Sequence, residues 1–99
     1  PMMHYVTSKA AVVGFSRVLA RELGPDNIRV NTLAPGATMS EEKATEAALK
    51  NYERSASTRI LKRIEQPEDL VGTALYLLSD LSTFVTGQTI LVNGGAVLH

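Results

Sequence analysis

Gly24-Pro25-Asp26-Asn27-Ile28-Arg29-Val30-Asn31-Thr32-Leu33-Ala34-Pro35-Gly36 is the stretch from which the fold can be read. Its middle, Ile28 to Ala34, is short, rich in β-branched residues and bounded by turn residues, which predicts a strand that stops abruptly at Pro35-Gly36. Upstream, Tyr5 to Leu23 contains good helix formers and no proline, and it ends at the stop signal Gly24-Pro25. Helix, short turn, strand and Pro-Gly loop are the rhythm of an α/β protein.

Reading outward, the helix Tyr5 to Leu23 carries apolar residues on several sides, among them Val12, Val13, Phe15, Val18 and Leu19, and is expected to be buried on several sides. One face would pack on a sheet and another on a partner subunit. Downstream, Thr38 to Ile64 alternates charges with alanine and predicts one or two helices with thin apolar faces, the most mobile part of the chain. Gln66-Pro67-Glu68-Asp69 starts another helix: proline suits its first turn and the two acids complement its positive end. Val71, Ala74, Leu75, Leu77 and Leu78 give that helix a core-facing side up to Ser79-Asp80. Thr89 to Val92 predicts a second strand, closed by Asn93-Gly94-Gly95. The stretch between the strands can serve as a right-handed crossover, which makes them parallel neighbours. Two parallel strands are a poor sheet by themselves, so the chain is expected to borrow structure.

Composition narrows the function. The 99 residues suit one small domain, and ten Lys and Arg balance ten Asp and Glu. Such a balance offers no footprint for nucleic acid or an anionic membrane. No apolar run approaches the roughly 20 residues of a membrane-spanning helix. The chain has no cysteine, which excludes a disulfide framework and a thiolate nucleophile or metal site and fits a cytoplasmic location. No cluster of His, Asp and Glu has metal-ligand spacing. His99 is expected to be disordered, and Asn31 to be a hydrogen-bonded structural group. The start on Pro1 hints at a fragment.

Chemistry enters at Tyr5 and Lys9, spaced i, i+4 on one helix face. A phenol titrates near 10 and is a poor base at neutral pH, but a neighbouring ammonium and a positive helix end both favour phenolate. A phenol tuned this way shuttles a proton between an alcohol and a carbonyl. By spacing alone, the pair reads at least as readily as a half-exposed tyrosine and a solvated lysine.

The context adds to it. Tyr5-Val6-Thr7-Ser8-Lys9-Ala10-Ala11 is followed by Gly14-Phe15-Ser16-Arg17, Leu19-Ala20-Arg21-Glu22-Leu23, Ile28-Arg29-Val30-Asn31, Ala34-Pro35-Gly36, Thr86-Gly87-Gln88 and Val92-Asn93-Gly94-Gly95. In this order the motifs resemble the C-terminal half of the short-chain dehydrogenase/reductase family, with 3-oxoacyl reductase-type members as the default and sugar, sterol and small-alcohol substrates open. The resemblance covers nearly the whole chain and is weakest over Ser40 to Arg59. It implies an α/β fold, the C-terminal part of a Rossmann-type doubly wound parallel sheet, incomplete alone. It implies an NAD(P)-dependent oxidoreductase acting on a small-molecule carbonyl or alcohol, with either NAD or NADP as cofactor, and a homo-oligomer. Tyr5 matches the family's proton-transferring tyrosine and Lys9 the lysine that holds the nicotinamide ribose. Pro35 and Gly36 match the loop beside the nicotinamide, and Thr38 the hydroxyl residue near the carboxamide. Residues 40–64 would hold the substrate lid.

The chain also departs from the family. Its glycines form no G-x-G-x-x-G turn for a pyrophosphate, and no serine precedes Tyr5. Asn93 stands where the family often has aspartate, which implies an altered local hydrogen bond. The chain is therefore expected to be inactive alone, its parent being the enzyme. The alternative is a non-catalytic module that self-associates or docks a complementary half.

Overall fold

The computed structural model describes residues 2–98. Its elements are α1 (Met3–Leu23), β1 (Thr32–Pro35), α2 (Glu46–Thr58), α3 (Glu68–Leu78) and β2 (Thr89–Val92), with short 3₁₀ turns at Gly24–Asp26 and Asp80–Ser82. The strands are neighbours in a two-stranded sheet. Thr32 N–H donates to Gln88 O at 2.8 Å and Gly36 N–H to Val92 O at 3.0 Å, a constant register, so the pairing is parallel as predicted. The chain divides into two compact units, one made of residues 1–32 and 76–90 and the other of residues 33–75 and 91–99.

In the first unit, α1 ends at Leu23 as the Gly24-Pro25 signal predicts, but the left-handed residue is Asn27, at φ 61° after the 3₁₀ turn. Asparagine tolerates that conformation better than other non-glycine residues do. The strand is shorter than expected. Residues 28–31 are not strand, because side chains replace part of the ladder there. Thr86 Oγ1 accepts from Val30 N–H at 3.1 Å, and Asn31 Oδ1 accepts from Gln88 N–H at 3.1 Å. Asn31 Nδ2 also donates to Val85 O at 2.8 Å, so its amide is a structural polar group as expected. The Arg29 guanidinium gathers the end of α3 and the turn after it, donating to Ser82 Oγ at 2.9 Å and to Leu77 O at 3.0 Å.

The expected many-sided burial of α1 does not occur within this chain: Ala20 is its one buried residue, and Val6, Val12, Phe15 and Val18 are each more than half exposed. Two four-residue strands offer too little sheet to cover a 21-residue helix. The accessible surface is 7532 Å², whereas a folded monomer of this mass exposes roughly 5,500 Å².

In the second unit, Thr45 caps α2, its Oγ1 accepting from Ala48 N–H at 3.2 Å. At the start of α3, Asp69 accepts from Gln66 N–H at 2.8 Å while Arg63 grips the same carboxylate with two 2.6 Å hydrogen bonds. Those bonds, Arg63 first and the Gln66 amide second, hold the Asp69 carboxyl down at about 2 from an ordinary 3.8. A depressed carboxylate stabilises the fold above its unfolded value and loses that contribution as pH falls through its folded one. Stability measured by denaturant midpoint is therefore expected to hold level near neutrality and to drop between about pH 4 and 2. Asp69→Asn should flatten that limb.

Candidate active site

Tyr5 and Lys9 lie in the first two turns of α1, on one face, with the Lys9 Nζ 5.7 Å from the centre of the Tyr5 ring. That is within the range of a cation–π contact. The helix start favours anions: Met2 at the N-cap supplies no side-chain acceptor, and the first turn holds no acid. Ser8 spends its hydroxyl on Tyr5 O at 2.9 Å, a local helix bond. Both Tyr5 and Lys9 are exposed, and Lys9 makes no ion pair among the described residues.

Pro35, Gly36 and Thr38 belong to the second unit, at the carboxyl end of β1, whereas Tyr5 and Lys9 belong to the first. Pro35 closes the strand. Gly36 N–H completes the ladder to Val92 O. Thr38 Oγ1 donates to Gly36 O at 3.0 Å, which leaves the hydroxyl lone pairs free to accept, and Thr38 itself bridges Glu65 in parallel fashion. Met39 N–H donates to Glu65 O at 2.9 Å.

Beneath this loop lies a pair that sequence reading missed. Arg59 and Glu65 are 2% and 5% exposed, with Nη2 and Oε2 3.3 Å apart. Arg59 Nη2 donates to Ala37 O at 2.7 Å and Nη1 to Arg63 O at 3.2 Å. Gly36 is glycine because of this pair and not because of its backbone angles. A β-carbon there would stand 2.5 Å from Glu65 Oε2 and 3.0 Å from Arg59 Nη2. At the end of β2, Gly94 (φ 63°) brings its backbone against the Arg59 side chain, and Leu61 N–H donates to Gly94 O at 2.9 Å. Asn93, which is buried, accepts from Gly95 N–H at 2.9 Å and donates to Val97 O at 3.2 Å. The second bond needs an amide, so an aspartate here would lose it. Nothing in one-dimensional spacing marks Arg59 and Glu65 as partners: six residues share no helix face, and on a strand they would stand about 20 Å apart.

Segment 40–64, read as lid, holds one helix, α2. Its Tyr52 hydroxyl donates to Glu41 Oε2 at 2.8 Å, and the nearby carboxylate raises the phenol above its ordinary value. Among the described residues no group of three or more His, Cys, Asp or Glu could hold a metal ion, and no helix is long and apolar enough to cross a membrane. His99 lies outside the described residues.

Against this geometry, a family model described as enoyl-(acyl carrier protein) reductase matches residues 2–97. The chain belongs to the short-chain dehydrogenase/reductase family. It is 45% identical over 94 residues to a 3α-hydroxysteroid dehydrogenase of Mediterraneibacter gnavus, covering 93% of this chain and 36% of that protein. It is 42% identical over 96 residues to the 3-oxoacyl-(acyl-carrier-protein) reductase FabG of Thermotoga maritima, covering 96% of this chain and 38% of the relative. The solved hydroxysteroid dehydrogenase of Escherichia coli matches with a TM-score of 0.87 at 35% identity, over 98% of this chain and 41% of the other. A 4-hydroxyisoleucine dehydrogenase complexed with NADH and succinate matches with a TM-score of 0.81 at 33% identity, over 94% of this chain and 37% of the other. The helices and parallel strands thus form part of a Rossmann-type sheet. The chain spans between a third and about two-fifths of the length of these relatives.

Gly36→Ala is expected to destabilise the fold by about 1–3 kcal/mol, the usual cost of overpacking. Urea unfolding of the two forms checks this.

Proposed function

We propose that the protein carrying these residues is an NAD(P)-dependent oxidoreductase that interconverts a small-molecule carbonyl and alcohol. The observation that carries the reading is the Tyr5–Lys9 pair, held on one face of an uncapped helix start in a chain of this family. Relatives solved with NADH or NAD support the choice of cofactor class.

The residues suit such a cofactor. Lys9 offers an ammonium with no ion-pair partner among the described residues, matched to ribose hydroxyls. Thr38 keeps acceptor capacity for a carboxamide N–H, and Pro35 and Gly36 form the adjoining turn of backbone. Bound NAD(P)H supplies the hydride that reaches the carbonyl carbon. Tyr5 supplies the proton: its hydroxyl donates to the carbonyl oxygen as the alcohol forms and takes that proton back in the reverse direction. Lys9 keeps its ammonium on the same helix face, 5.7 Å from the centre of the Tyr5 ring. Segment 40–64 acts as the lid over the substrate, and a soluble cytoplasmic homo-oligomer is the form proposed for the whole protein.

The 99 residues alone are proposed to be inactive. Their glycines make no pyrophosphate-binding turn, so the binding energy that positions a dinucleotide is missing. A second reading, self-association or docking without catalysis, draws on the roughly 2,000 Å² of surface beyond that of a folded monomer. A standard interface buries about 800 Å² on each partner, so the excess is larger than one such interface covers. Monodisperse monomer by light scattering would count against it.

In the whole protein, Tyr5→Phe should lower turnover by about 10²- to 10⁴-fold, the usual worth of a positioned proton donor. Unchanged turnover would remove Tyr5 from the reaction. With the 99-residue chain, NADH and NADPH titrations followed by nicotinamide fluorescence should show no saturable binding. Saturable binding abolished by Lys9→Ala would mean that the segment holds cofactor unaided.

A further inference from the structure

We propose that the buried Arg59–Glu65 pair is a positioning device for the loop of residues 36–38, setting where that loop stands against a nicotinamide without touching it. The proposal rests on the oxidoreductase reading above and adds to it two residues that take no part in proton or hydride transfer.

The backbone from Gly36 to Met39 is fixed at three points. One is the ladder bond from Gly36 N–H to Val92 O. The other two come from the pair's own residues: Arg59 Nη2 donates to Ala37 O at 2.7 Å, and Glu65 O accepts from Met39 N–H at 2.9 Å. The pair also fills the space where a side chain on residue 36 would go. Of these ties the one to Met39 runs backbone to backbone, so the charged groups act on the loop through the Arg59 bond to Ala37 O and through the space they deny a side chain on residue 36.

The pair is poorly built for stability. Arg59 Nε and both carboxylate oxygens of Glu65 are buried without a hydrogen-bond partner, and the 3.3 Å contact between the charges lacks hydrogen-bond geometry. Desolvating two charges is costly, and well-packed apolar residues of like volume often do as well or better. A cavity of about 140 Å³ adjoins the pair, bounded by Arg59, Leu61, Glu65, Val92 and Gly94 among others, so the packing around the pair is incomplete. A directional bond from Arg59 holds the loop at Ala37 O. An arginine fork suits that task, since one planar group donates to both Ala37 O and Arg63 O at fixed angles.

The test uses the whole protein and the double variant Arg59→Leu/Glu65→Leu, which leaves no lone buried charge. NADH and NADPH are the probes of the complete cofactor, and ADP-ribose is the probe of its adenosine side. The expected result is a rise of about tenfold or more in the Kd of NADH or NADPH, since small misplacements at a reacting centre carry large penalties. The Kd of ADP-ribose should stay within about twofold, and amide exchange at Ala37, Thr38 and Met39 should quicken while that of α1 does not. Equal weakening of NADH and ADP-ribose, or loop amides that keep their rates, overturns the proposal and leaves the pair as filler. Arg59→Lys, which keeps the charge but not the fork, should fall between wild type and double variant, and it carries the same comparison if the leucine variant does not fold. Should the wild type bind neither NADH nor NADPH, the oxidoreductase reading fails, and the exchange rates alone decide whether the pair holds the loop.

Discussion

Two arginines hold this chain together by reading backbone carbonyls. In the second unit Arg59, almost wholly buried, ties Ala37, Arg63 and Glu65 to one guanidinium. In the first unit Arg29 does the same for Leu77, Ser79, Ser82 and Val85. The constraint behind both is the shortage of sheet. Parallel strands normally bury both faces under helices, and among the described residues the buried apolar ones are Ala20 and Ala56. With so little apolar area withdrawn from water, directional charge-assisted bonds carry the geometry that packing would otherwise impose.

This division of labour separates the two groups of candidate residues. Tyr5 and Lys9 depend on nothing beyond α1, because helical spacing alone sets them on one face. Their arrangement survives any change elsewhere that leaves the helix formed. The loop of Pro35 to Thr38 depends on residues more than twenty positions away in sequence, through Arg59, Glu65 and Val92. It is therefore the part of the candidate site most exposed to remote substitutions, and the buried charges beneath it make apolar replacement of one partner alone especially disruptive.

The uncovered apolar surface has a related origin. Phe15, Val12 and Val18 of α1, with Leu78, Leu81 and Phe84, face water in this chain. Monomeric proteins rarely leave broad apolar patches exposed. The relatives it matches are more than twice as long, and surface of this kind is what additional sheet or a second subunit would cover.

The sequence by itself determined the elements whose signals are local. The helix up to Leu23, the helix start at Gln66 to Asp69, the strand Thr89 to Val92 and the shared face of Tyr5 and Lys9 all follow from periodicity, capping residues and turn residues within a few positions. The ordered motifs also carry the resemblance to the family. Only the tertiary structure decided where β1 begins, because Thr86 and Asn31 replace ladder bonds from 54 or more residues away. It alone revealed why residue 36 is glycine, why α1 stays uncovered, and that Arg59 meets Glu65. Those outcomes turn on which groups compete for the same buried hydrogen bonds and the same few cubic ångströms, and that competition is settled only when distant segments meet.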